Sequence, residues 1–259
     1  MLLAEPPPSQ GDLHFRLFGI PVRVHPFFWL MTVVLALGGE ELRPGELISW
    51  VAVVFVSVLI HELGHAFTQR HFGGRPWITL HGIGGLASCE DCDDRPSSQI
   101  LIALAGPAAG FLLAAVTLIC LALAGARPGS TVDFAGWTLS EFERVSNVSL
   151  LGGAIYWDRF STPATDDLVR SLLGVNILWG LVNLLPIYPL DGGRVSRELC
   201  TLRSARGGII LSLRISMVAA ALMAAVGLIA WQSIFTALMF GYLAYTSYST
   251  LQAYQYRGY

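Results

Sequence analysis

The sequence predicts an all-α polytopic membrane protein of about six transmembrane helices, with a short membrane-associated β-hairpin after the second. Three observations carry that expectation. The 259 residues are 54% hydrophobic and only 13% charged, about half the charge of a soluble domain. Mean hydropathy is +0.58. The apolar residues are gathered into runs of roughly 20, the length that spans a bilayer core. A net charge of −2 with no basic domain argues against nucleic acid as a partner.

Met1–Asp12 lacks a basic region and is broken by Pro6-Pro7-Pro8, so residues 1–19 are expected to be a disordered tail. The first span is expected over Ile20–Gly39, although Pro21, Arg23, His25 and Pro26 crowd its start. A polar turn, Glu40–Gly45, leads to the second span, Glu46–Phe67, which is apolar apart from serine between Leu47 and Ile60. Gly73–Cys89 is rich in glycine and β-formers (Trp77-Ile78-Thr79-Leu80, then Gly84-Gly85-Leu86-Ala87). It predicts a hairpin whose backbone groups must pair inside the protein wherever it enters the bilayer.

Cys89–Arg95 is a polar loop, and Gln99–Ala126 is the third span. Gly106-Pro107 and Gly110 in it allow close helix packing or a kink. Arg127–Asp167 is the longest polar connection. The fourth span, Leu168–Tyr188, ends in Pro189-Leu190-Asp191-Gly192-Gly193, and Arg194–Arg206 reads as a basic loop. The fifth and sixth spans, Gly208–Ala230 and Trp231–Leu251, form a tight helical hairpin. Residues 20–251 are thus expected to be one membrane domain, with 252–259 a C-terminal tail.

All 16 basic residues are arginine. Six spans put eleven of them on the side of both termini and five on the other. That bias predicts a multi-pass protein of the cell membrane with cytoplasmic N- and C-termini. His61, His65 and Asp191 then lie near the cytoplasmic ends of their helices.

The second span carries His61-Glu62-Leu63-Gly64-His65. On a helix the two histidines, at i and i+4, point the same way and can share one metal ion. Glu62 turns toward the open side of that metal. Zinc lowers the pKa of a bound water to about 7, and a neighbouring carboxylate can take its proton. A catalytic zinc needs three protein ligands, so the third must come from elsewhere. Asp191 stands out because an ionised carboxylate at a span's mouth is costly unless paired or metal-bound. Two readings of Asp191 remain open: a zinc ligand, or a solvated helix-end residue paired with Arg194.

Other polar residues carry blander readings. His71 and His81 are expected to be loop or interface histidines. Cys89-Glu90-Asp91-Cys92 with Asp93 and Asp94 lacks the partner pair of a structural zinc and reads as a solvated acidic loop. Asn176, seven residues before Asn183, suggests an interhelical hydrogen bond.

The HELGH helix followed by Asn183-Leu184-Leu185-Pro186-Ile187-Tyr188-Pro189-Leu190-Asp191-Gly192-Gly193 resembles the site-2 proteases, intramembrane zinc metalloproteases that cut transmembrane segments of other proteins. Gly84-Gly85 and Ala105-Gly106-Pro107 extend the resemblance over most of the chain from the second span to Gly193. It implies one Zn2+ per chain held by His61, His65 and Asp191, with Glu62 as general base. It also implies that Asn183 holds the substrate backbone or the oxyanion and that Gly84 and Gly85 lie at the substrate-binding hairpin. Two positions depart from the pattern: Tyr188 stands where relatives often have Pro, and Gly110 where many have Asn.

The implied partners are the lipid bilayer and a membrane-protein substrate cut within or near its transmembrane segment. A second copy of the chain is a further candidate. No stretch reads as an added PDZ or nucleotide-sensing module. The competing reading is a membrane metal transporter or metal-binding protein using the same histidines. Transport favours an inverted repeat or polar residues on several helices; no repeat is evident, and spans five and six hold no carboxylate.

Overall fold

Proline marks the first residue of four helices: α1 (Pro26–Leu37), α2 (Pro44–His71), α3 (Pro96–Leu123) and α4 (Pro163–Asn183). Its fixed φ suits the first helical turn, where the missing N–H has no intrahelical partner to lose. Three more helices follow, α5 (Asp191–Thr201), α6 (Ala205–Ile229) and α7 (Ile234–Tyr256). The computed structural model of the chain describes residues 5–37, 44–82, 84–132, 145–150 and 153–256. Most of the polar turn expected over Glu40–Gly45 lies outside them.

Among the described residues three helices, α2, α3 and α6, are long and apolar enough to cross a membrane by length and composition. That is fewer than the six spans expected. The start of the first expected span is corrected: Ile20–Val24 is a strand, and the described part of α1 has 12 residues. The cause is local: Ile20, Val22 and Val24 alternate with Pro21 and Arg23, a period-two pattern, and the helix begins only at Pro26. α4 and α7 are 21 and 23 residues long, but Asp166, Asp167 and Arg170 in α4 and the Ser, Thr, Tyr and Gln of α7 dilute their apolar character.

The chain divides into two compact units. The first comprises residues 1–63, 76–88 and 108–180. Its larger sheet has the order β1-β2-β3-β4, formed by Leu13–Leu17, Ile20–Val24, Arg75–His81 and Gly84–Glu90. β1 and β2 pair antiparallel, whereas β2 runs parallel to β3, with Val22 opposite Ile78 and Val24 opposite Leu80. The buried positions Ile20, Val22 and Val24 alternate along β2, as a strand with one covered face requires. The β3–β4 hairpin was expected. β1 was not: residues 13–17 fall in the stretch read as a disordered tail, and pairing with β2 orders them.

A second sheet, of order β5-β7-β6, occupies the expected polar connection; β5 is Gly129–Val132, β6 Val145–Leu150 and β7 Gly153–Asp158. Trp157 of β7 is fully buried against Ala114 and Leu121 of α3 and Leu173 of α4. Its Nε1 donates to Asp166 Oδ1 at 3.1 Å. An apolar anchor among polar neighbours gives a weak strand signal, which is why the sheet was missed.

The second unit comprises residues 64–75, 89–107 and 181–259. Ile187, Ala220, Phe240 and Leu243 form its core. α5 replaces the basic loop expected over Arg194–Arg206, and α7 runs into the expected tail as far as Tyr256. Cys89 and Cys92 are joined in a disulfide, and a methyl group on Gly74 would overlap both sulfurs. The segment is therefore a cross-linked turn and not only a solvated acidic loop.

Candidate metal centre

α2 is apolar for four turns and then carries His61, Glu62 and His65, which are 4, 5 and 3% exposed. Polar side chains this deeply buried need partners. His65 Nδ1 lies 2.7 Å from the Ile102 carbonyl. A carbonyl only accepts, so Nδ1 carries the proton and donates. Nε2 of the same ring faces Asp191 Oδ2, 3.3 Å away.

Asp191 is the first residue of α5 and is 6% exposed. Burial against His65 removes the solvated helix-end reading with Arg194. Its placement depends on the two glycines that follow, because a methyl group at Gly192 or Gly193 would overlap the backbone of Leu184, Leu185, Ile187 and Tyr188. The first turn of α5 thus lies flush on the turn that precedes it.

His61 stands one turn before His65 on the same unbroken helix. One donor atom from each of His61, His65 and Asp191 lies within 4.8 Å of the others. Two imidazole nitrogens and a carboxylate oxygen are the donor types of a catalytic zinc. A cation, proton or metal, joins Nε2 and Oδ2 at this distance. A proton would serve a pair; three converging donors favour a metal. The hydrogen bond from Nδ1 to Ile102 is the outer contact that fixes a ligating histidine's tautomer and ring orientation. The residues fit zinc.

Glu62 packs against β4: a methyl group on Gly85 would overlap its Cγ, Cδ and Oε1. The absent side chain of Gly85 is the space that Glu62 fills. Gly84, at a φ of +135°, adopts a backbone conformation that favours glycine. Asn183 ends α4 and is buried. His71 stacks edge-on with Phe72 at the end of α2, and His81 ends β3; neither belongs to the triad.

Cys89 and Cys92, bonded to each other, offer no thiolate to a second metal. Asn176 makes the expected interhelical contact, donating from Nδ2 to Ser57 Oγ at 2.9 Å. Its Oδ1 would lie 3.6 Å from a Cβ on Gly110, so Asn176 lines the space beside that departure. Sequence reasoning missed Ile102, which acts through its backbone and leaves no side-chain signal.

A buried HExxH helix whose second histidine meets a carboxylate from another helix, with three membrane-length helices among the described residues, makes a candidate metal centre in a membrane protein. Residues 49–230 match the model of peptidase family M50, and the chain belongs to that family. It is 27% identical over 189 residues to the zinc metalloprotease MJ0392 of Methanocaldococcus jannaschii, covering 71% of this chain and 44% of that one. It is 29% identical over 178 residues to stage IV sporulation protein FB of Bacillus subtilis, covering 68% and 46%. The chain therefore spans less than half the length of these relatives. Among solved structures, the site-2 protease from Methanocaldococcus jannaschii shares the fold, with a TM-score of 0.56, 24% identity, and coverage of 92% of this chain and 94% of that one.

Proposed function

We propose that the protein is an intramembrane zinc endopeptidase that hydrolyses peptide bonds within or near transmembrane segments of other membrane proteins. The observation that carries this reading is the convergence of His65 Nε2 and Asp191 Oδ2, 3.3 Å apart, beside His61. The family match and the metalloprotease names of relatives support it. His61, His65 and Asp191 would hold zinc, which would supply a Lewis acid for the scissile carbonyl and acidify a water.

Glu62 then acts as general base and acid. It accepts the proton that water loses on adding to the carbonyl, and delivers it to the leaving amine. Asn183 holds the substrate backbone or the developing oxyanion. A helical substrate hides its carbonyls in intrahelical bonds and must unwind before cleavage. β4 is an edge strand of its sheet, and the unwound segment adds to it, with Gly84 and Gly85 admitting its backbone.

The reading extends to the rest of the chain. α1, α4 and α7 join α2, α3 and α6 as six membrane-embedded segments of one catalytic domain over 20–251, with β1 added in front. The arginine bias supports cytoplasmic termini and a metal centre toward the cytoplasm. A homo-oligomer is compatible with the exposed apolar faces of the helices.

Metal analysis of purified wild type, Asp191→Ala and Glu62→Gln tests the proposal. Wild type and Glu62→Gln are expected to hold about one zinc per chain and Asp191→Ala far less. Cleavage of a trapped membrane-protein substrate is expected from wild type only. Full zinc in Asp191→Ala would overturn the ligand set, and cleavage by Glu62→Gln would overturn the role of Glu62.

A further inference from the structure

The C-terminal helical hairpin supplies none of the candidate metal ligands. α6 and α7 hold no carboxylate, and α7 lies beyond the residues that match the family model. Yet Ser216 of α6 and Ser247 of α7 are 1 and 0% exposed, and two hydroxyls so buried need partners. Their Oγ atoms lie 2.8 Å apart, and the Tyr188 N–H donates to Ser216 Oγ at 2.7 Å.

Tyr188 sits in the turn between α4 and α5 that carries the chain into Asp191. The turn's own main-chain bonds are local: Ile187 to Leu185, Leu190 to Ile187 and Arg194 to Leu190. Packing and a hydrogen bond both tie it to the hairpin. Ile187 is fully buried with Ala220, Phe240 and Leu243, and its neighbour Tyr188 is held by Ser216. Gly193 in turn lies against the backbone of Ile187 and Tyr188, so the position of this turn passes directly to the start of α5.

We propose that Ser216 and Ser247 are positioning residues for the third metal ligand. The chain of hydrogen bonds from Ser247 through Ser216 to the Tyr188 N–H fixes the turn that presents the Asp191 carboxylate to His65. α6 and α7 are thereby part of the metal centre's support and not only a membrane anchor. Ser216 is buried, so losing its oxygen leaves the Tyr188 N–H to find a new partner by moving. The inference rests on the reading of Asp191 as a metal ligand.

The test is zinc affinity of the full chain in detergent, measured by competition with a chromophoric chelator. Ser216→Ala, Ser216→Thr, Ser247→Ala, Asp191→Ala and the double variant Asp191→Ala/Ser216→Ala are compared, with thermal unfolding of each apoprotein as the control for folding. Outer contacts of this kind are worth about 10–100-fold in metal affinity. Ser216→Ala is expected to bind zinc at least about tenfold more weakly than wild type. Ser216→Thr, which keeps the hydroxyl, should recover most of that loss, and Ser247→Ala should show a smaller loss.

In the Asp191→Ala background, removing the Ser216 hydroxyl should change nothing further, because the ligand it positions is gone. Unchanged affinity in a folded Ser216→Ala protein would overturn the proposal, as would an equal loss with and without Asp191. If Ser216→Ala does not fold, wild-type affinity in Ser247→Ala overturns it instead. Wild-type protein without zinc would refute the metal-site reading itself, a result distinct from any of these.

Discussion

Glu62 and Gly85 show how much of this site depends on a missing methyl group. The carboxylate occupies the volume that any larger residue at 85 would take. Gly85→Ala is therefore expected to leave fold and zinc content intact while displacing Glu62. A displacement of about 1 Å at a catalytic group costs on the order of 100-fold in rate. Turnover of a membrane-protein substrate by Gly85→Ala protein, with zinc measured on the same sample, checks it; near wild-type turnover would show that Glu62 can relax without cost. At the same scale, His65 is oriented by a backbone carbonyl, Ile102. No substitution at 102 removes that acceptor, which makes the histidine's tautomer resistant to mutation.

At the scale of elements, α3 begins in a knot of hydrogen bonds around Asp93. Its carboxylate accepts from the Arg95 backbone N–H at 3.0 Å, from the Arg95 guanidinium, and from Ser98 Oγ at 2.8 Å. The Arg95 side chain first, then its N–H and Ser98, hold the Asp93 carboxyl well below its ordinary value of 3.8. A depressed carboxylate stabilises the fold above its unfolded-state pKa and loses that contribution as pH falls toward its folded-state value. Asp93→Ala is thus expected to lower the thermal midpoint by a few degrees at pH 7. The gap between variant and wild type should shrink in acid below about pH 3.8. Unfolding scans across that range test it, and a gap independent of pH would reject the electrostatic account. The disulfide between Cys89 and Cys92 closes the same connection between β4 and α3, so this turn is held by both a covalent bond and an ion pair.

For the whole molecule, two observations point to opposite sides of the membrane. The arginine bias assigns the β4–α3 connection to the cytoplasm, whereas disulfides are rare in that reducing compartment. Labelling with a membrane-impermeant maleimide decides between them. In a background with Cys120 and Cys200 replaced by serine, Gln232→Cys, in the turn between α6 and α7, is expected to react in intact cells. Ser204→Cys, at the start of α6, should react only after the membrane is opened. The reverse pattern would move the metal centre to the outer face and agree with the disulfide.

Much of this was legible in residues close together in the chain. The i, i+4 histidines, the glutamate between them and the apolar helix that buries them are local patterns, and local patterns survive as sequence. The same holds for the β3–β4 hairpin and for Asp191 as a candidate third ligand, whereas the proline-led starts of α2, α3 and α4 lay a few residues before the expected spans. Tertiary structure alone decided the rest. β1 exists because it pairs with β2, and the Trp157 sheet because α3 and α4 cover its apolar anchor. The choice between Arg194 and His65 as the partner of Asp191 was made by packing α5 onto the Leu184–Tyr188 turn. The acceptor for His65 is a carbonyl and the anchor for Tyr188 a serine 28 residues away, contacts that no spacing in the chain announces. A period in the sequence reports which side of an element is buried; what it is buried against is set by the fold.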